Sequence, residues 1–186
     1  DSDDSDDSGD SGDESAAGAD CAATVGFHGP ITGPVAFIGE VQLNWFNYAL
    51  DTYNAENGTS FEMVEGDNQF DTAQAATIAA QFLDNGDMVA SVGPAGSDQV
   101  AAAGAVYEQG DPNFTFISPS STRVGITADY TGMFRTVPAD DDQAPTTADF
   151  LSALGAQKVC VSDDQSGYSV PLADGVVEAL EADGVA

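Results

Sequence analysis

Two short turns carry the residues best suited to chemistry: GPAGS at positions 93–97 and SPSST at positions 118–122, with hydroxyls on Ser97, Ser120, Ser121 and Thr122. Each follows a short apolar run. A small-residue turn leading from a strand into a helix exposes backbone N–H groups at the positive end of the helix dipole, where an anion is stabilised. In open α/β sheets small ligands bind beyond the carboxyl ends of the strands, which is where both turns would fall. We read the anion as a carboxylate. A phosphate site would show GxxxxGK[ST], or GxGxxG followed by a ribose-binding acid, and neither occurs. The loop GPITGPVAFIG at 29–39 has glycines but no lysine to meet a phosphate. Ser97 has a second reading, because serine commonly caps a helix at such a position.

Other reactive residues point to less. The single histidine, His28, has no cysteine or carboxylate at metal-ligand spacing and reads as structural or incidental. No serine sits in a GxSxG elbow and no catalytic pair can be assembled, so enzymatic activity, a metal and a cofactor are not expected. Asp140, Asp141 and Asp142 read as a solvated helix start rather than a metal cluster. Tyr168, in the turn DDQSGYS at 163–169, could cover a ligand held by the serine turns or pack against a sheet; position alone leaves both open. Cys160, in the apolar run VCV, reads as a buried inert thiol, and Cys21 could pair with a partner or stay free.

The elements that must position these residues follow from periodicity. From Ala23 onward short apolar runs alternate with longer segments of helical spacing. Strands are expected at ATVGF, FEMVE, MVASV, FTFIS and VCVS. Helices are expected over 37–56, with Leu43, Phe46, Leu50 and Tyr53 on one face, and over 72–83, capped by Asp71 and stopped by Asn85 and Gly86. Further helices fit 97–109, 142–154 with Asp142 as the cap, and 170–183; residues 184–186 look like another strand beginning. This alternation is the signature of an α/β fold with a parallel, Rossmann-like sheet and helices on both faces.

Composition narrows the partners. Three basic residues, Arg123, Arg135 and Lys158, stand against 32 acids, for a net charge of −29. Phosphate backbones would be repelled, so nucleic acid is excluded as a partner. Residues 1–22 hold only Asp, Glu, Ser, Gly, Ala and Cys and read as a disordered acidic tether. A calcium loop at 4–9 is rejected because its twelfth position is Ser15 rather than Glu. Nine acids lie in the first 20 residues, so 23 remain in the rest of the chain, which fits adaptation to salt. The chain opens inside an acidic run, as though a leader had been removed.

Taken in order, GPITGPVAFIG, the VGPxxS turn, YEQG, FISPSST, FRTVPADDDQAP and DDQSGY resemble the amino-terminal half of a periplasmic binding protein of the leucine/isoleucine/valine class. The resemblance implies a type I fold: lobe 1 over 23–135, a hinge crossing over 136–143, and the start of lobe 2 over 144–186. It implies an extracytoplasmic receptor, held by an amino-terminal lipid anchor and monomeric, that delivers a neutral or branched-chain amino acid to the permease subunits of an ABC importer. A ligand-sensing domain of a signalling receptor, or an amide, urea or aromatic-acid binder, are the alternatives within the same fold. By the same resemblance Ser97 and Thr122 hold the ligand carboxylate, Ser120 offers a carbonyl to its ammonium, Ser121 sits beside them, and Tyr168 closes over it. Several relatives have an aromatic residue directly before the glycine of the first loop; here Ile38 precedes Gly39 and Phe37 comes before it, so the side-chain pocket differs. The disulfide that some relatives form is ruled out by Phe70 and Gly96, and the ammonium-binding acid of lobe 2 would lie beyond Ala186. A zwitterion suits so acidic a protein, because it carries no net charge to be repelled.

Overall fold

The computed structural model describes residues 22–185, so the tether, the rejected calcium loop, Cys21 and Ala186 lie outside the described residues. The elements in chain order are β1 (Thr24–Gly29), α1 (Ala36–Asn57), β2 (Glu62–Asp67), α2 (Thr72–Asp84), β3 (Met88–Val92), α3 (Ser97–Gly110) and β4 (Thr115–Ser118). Then come a one-turn α4 (Ile126–Asp129), β5 (Met133–Arg135), α5 (Asp140–Ala153) and α6 (Ser169–Ala182). The five strands are parallel in the order β2-β1-β3-β4-β5. The chain therefore leaves β1 toward one edge and returns at β3 to build toward the other. At that switch point the loops after β1 and β3 diverge and leave a crevice.

Residue type explains each layer. On one sheet face α2 and α3 bury Ile78, Phe82, Val100 and Tyr107 against Phe116 and Met133. On the opposite face Phe27 stacks on Phe46 of α1, ring centroids 6.1 Å apart. Leu43, Phe46 and Leu50 are half-buried as their spacing predicts, whereas Tyr53 is exposed. Asp71 caps α2 by accepting the Gln74 N–H at 2.8 Å, and Gly58 ends α1 in the left-handed conformation. Alternation along β1 sends His28 to the α2 side, where it is fully buried and meets Phe82 edge-on.

A second cluster lies beyond β5. Ala144 and Ala148 of α5 pack with Val176 and Leu180 of α6 and with Val185. Several expectations change here. VCVS is not a strand: residues 158–164 run as irregular chain, with Val159 and Val161 half-buried against the helices. A strand exists only through its ladder, and among the described residues none lies beside this one. Among the described residues Cys160 is exposed rather than buried. Val185 is buried under the α5–α6 pair, while Ala186, the end of the expected strand at 184–186, lies outside the described residues. The cap of α5 falls at Ala139, so Asp142 sits inside the first turn. Asp141 and Asp142 are solvated as expected, but Asp140 is buried.

Candidate ligand-binding cleft

The two serine turns meet at the carboxyl ends of β3 and β4. Gly93 begins the first, its N–H bonded to Ile117 O at 2.8 Å. It adopts φ +106°, and a Cβ there would fall 1.8 Å from His28 O, so only glycine lets β3 leave the sheet beside β1. The second turn is pinned to the first by hydroxyls. Ser118 Oγ donates to Pro94 O at 2.6 Å and accepts the Ser121 N–H at 3.0 Å. Ser120 Oγ donates to Ala95 O at 2.8 Å and accepts from Gln42 Nε2 of α1 at 2.9 Å.

Ser97 opens α3, with Gly96 as its cap residue and no side-chain capping bond. Its hydroxyl instead accepts the Ser121 hydroxyl at 3.0 Å. The first-turn N–H groups of a helix have no intrahelical acceptor, so this end of α3 offers donors and the positive end of its dipole. Thr122 Oγ1 is buried with no hydrogen-bond partner among the described residues. The Thr122 carbonyl is held from behind by Arg135 Nη1 at 3.1 Å and by the Asp140 N–H at 2.9 Å.

A cavity of about 280 Å³ opens at this place. It gathers Ser97, Ser120, Tyr168 and Ile38 from the sequence-based set, together with Phe70, Asp98, Gln99, Asp164 and Ser166. Ser121 lies behind this wall with its hydroxyl on Ser97, and Thr122, next in the chain, is not among the lining residues. Phe37 stays away: one helical step from Ile38, its ring faces solvent at 64% exposure. Tyr168 arrives from the turn before α6, so the second cluster supplies one wall. Phe70 and Gly96 do touch: a Cβ on Gly96 would fall 2.7 Å from the Phe70 ring. An aromatic ring thus fills the place assigned to a disulfide in some relatives.

The charge of the lining is one-sided. Asp98 and Asp164 line it, and among the described residues no basic side chain does. Hydrogen bonds from Ser166 and Ser169 pull the Asp164 carboxyl down to about 2, so it is ionised at neutral pH. Nearby, Asp67 accepts from Ile31 N at 2.9 Å, Thr32 N at 3.1 Å and Gln69 N at 3.0 Å. Burial by itself raises the Asp67 carboxyl, but these bonds and that of the Thr32 hydroxyl together outweigh it, hold the carboxyl below the usual range and brace the loop after β1. Sequence reasoning missed Gln42, Phe70, Asp98, Gln99, Asp164 and Ser166. Asp98 and Gln99 were within reach, since they follow Ser97 in the same first turn; Gln42 and Phe70 carry no local signal.

Comparison with known proteins places this arrangement. The family model described as periplasmic binding protein matches residues 22–186. The chain belongs to the periplasmic binding protein family. This family member is 30% identical over 162 residues to the leucine-, isoleucine-, valine-, threonine- and alanine-binding protein of Pseudomonas aeruginosa, covering 84% of the chain and 43% of that relative. It is 28% identical over 158 residues to the Leu/Ile/Val-binding protein of Escherichia coli, covering 82% and 42%. Among solved structures it superimposes on the branched-chain amino acid transporter substrate binding protein LivJ of Streptococcus pneumoniae, bound to isoleucine, with a TM-score of 0.76 and 29% identity. That match covers 87% of this chain and 46% of the other. This periplasmic binding protein chain thus spans about half the length of the curated relatives it matches.

Proposed function

We propose that the complete protein is an extracytoplasmic solute-binding receptor that takes a neutral or branched-chain amino acid and passes it to an ABC importer. The observation that carries this reading is the meeting of Ser97, Ser120 and Ser121 at the carboxyl ends of β3 and β4, beside the free end of α3 and an unpartnered Thr122 hydroxyl. Hydroxyls and backbone N–H groups can hold a carboxylate without an arginine, each bond to a charged group contributing about 1.5–3 kcal/mol. The apolar part of the ligand would meet Ile38, Phe70 and Tyr168. An acid-lined cavity favours a ligand that also carries an ammonium group, because a carboxylate alone would add to the existing negative charge.

In this reading residues 23–135 act as lobe 1, residues 136–143 as a hinge crossing, and residues 144–186 as the opening of lobe 2, which closes over the ligand with Tyr168. The protein acts as a monomeric receptor and not as an enzyme, is anchored by a lipid at its amino terminus, and meets permease subunits when closed. The relatives named for leucine, isoleucine and valine support the ligand class. Isothermal calorimetry on the complete protein with leucine, isoleucine, valine, threonine, alanine and 4-hydroxybenzoate tests it. Binding is expected from at least one of the five amino acids and not from the aromatic acid. Heat from 4-hydroxybenzoate alone, or from none of the six, would overturn the reading.

A further inference from the structure

Asp98 stands next to Ser97 in the first turn of α3, and its side chain spans the cleft. Its Oδ2 accepts the Gly167 N–H at 3.0 Å, one residue before Tyr168. Among the described residues the other hydrogen bond from α5, α6 or the chain between them to the β-sheet unit lies at the crossing itself, Asp140 N to Thr122 O. The Asp98 bond is therefore the one that joins the two units at the ligand cavity.

The approach is tight. A Cβ on Gly167 would fall 2.1 Å from Asp98 Oδ1, so the carboxylate can reach this N–H only past a glycine. The turn it grips is rigid in its own right. Asp164 Oδ1 accepts the Ser166 N–H at 3.0 Å and the Ser169 hydroxyl, and Ser166 Oγ accepts the Ser169 N–H at 3.0 Å. A turn braced by these bonds, and gripped by Asp98 at Gly167 just before α6 begins, fixes where Tyr168 stands over the cavity.

We propose that Asp98 is a positioning residue for ligand capture: its carboxylate seats the 163–168 turn so that Tyr168 closes the wall opposite Ser97 and Ser120. The bond is charge-assisted and forms without ligand. The effect on ligand release rests on the amino-acid reading given above, whereas the contact itself is independent of it.

Amide hydrogen exchange on the ligand-free complete protein tests the contact. Asp98→Ala should speed exchange at Gly167 by about tenfold or more, while Asp98→Asn, whose amide oxygen can still accept, should stay within a few-fold of the wild type. Unchanged exchange at Gly167 in Asp98→Ala would overturn the proposal. Stopped-flow release of leucine then tests the positioning role. Asp98→Ala and Tyr168→Ala should each raise the dissociation rate by about tenfold with little change in association, and the double variant should release no faster than Tyr168→Ala. Effects that multiply in the double variant would show that Asp98 does not act through Tyr168. If wild-type protein fails to bind any of the five amino acids, the amino-acid reading falls while the exchange result still decides the contact.

Discussion

His28 is the residue most at odds with its surroundings. It is fully buried on the α2 face, neither ring nitrogen has a hydrogen-bond partner among the described residues, and burial lowers its pKa from 6.5 to about 3. The unfolded chain therefore binds a proton between these values that the folded chain refuses. The associated stability is complete above about pH 6.5 and is lost as pH falls toward 3, with a slope of at most about 1.4 kcal/mol per pH unit. The depressed carboxyls of Asp67 and Asp164 act in the same direction but lower, once pH falls below their ordinary value of 3.8. Urea unfolding of wild type and His28→Leu at several pH values between about 6 and 4.5 should show the wild type losing stability as pH falls and the variant nearly flat. Equal slopes would mean that His28 titrates normally. At this scale sequence found the hydroxyls, because strand, small turn and helix adjoin along the chain. It could not find Gln42 on Ser120, which meet only once α1 is packed, and it paired Phe70 with Gly96 only through the disulfide that the resemblance assigns to those positions.

The elements divide by what defines them. α2 was legible to within a residue because Asp71 and Asn85 act locally on its ends. Removing that cap should cost about 1 kcal/mol: Asp71→Ala is expected to lower the urea midpoint without changing its slope, and an unaltered midpoint would mean the Gln74 bond contributes nothing. The parallel strands β1 to β4 were legible from their apolar runs. VCVS has the same composition but, in a chain spanning about half the length of its relatives, no neighbouring strand among the described residues, so it forms no ladder and Cys160 is exposed. The short α4 has too few residues to show a period, and it was missed for that reason. Phe37 and Ile38 show the resolution of helical reasoning: both lie in the first turn of α1, and only the end of β1 and the crevice beside it decide which side chain faces the cavity.

At the scale of the whole molecule, charge dominates. With 32 acids against three bases, the chain repels itself, and the one salt bridge between described residues, Arg123 to Asp129 at 3.0 Å, is partly solvent-exposed. The melting temperature should rise as sodium chloride is added and level off near 1 M, where the screening length falls to about 3 Å. A melting temperature indifferent to salt would remove the inference of salt adaptation. On the proposed reading the same excess of negative charge matters for capture: a receptor this acidic would take a carboxylate by local donors rather than by long-range attraction. The most direct measurement is calorimetric titration of the complete protein with leucine and with leucinol, which differ in the carboxylate alone, repeated on Thr122→Val. Leucine should bind at least tenfold to a hundredfold more tightly than leucinol, and Thr122→Val should erode that preference by about tenfold. Equal affinities for the two compounds, or a preference untouched by Thr122→Val, would contradict capture of a carboxylate at the ends of β3 and β4.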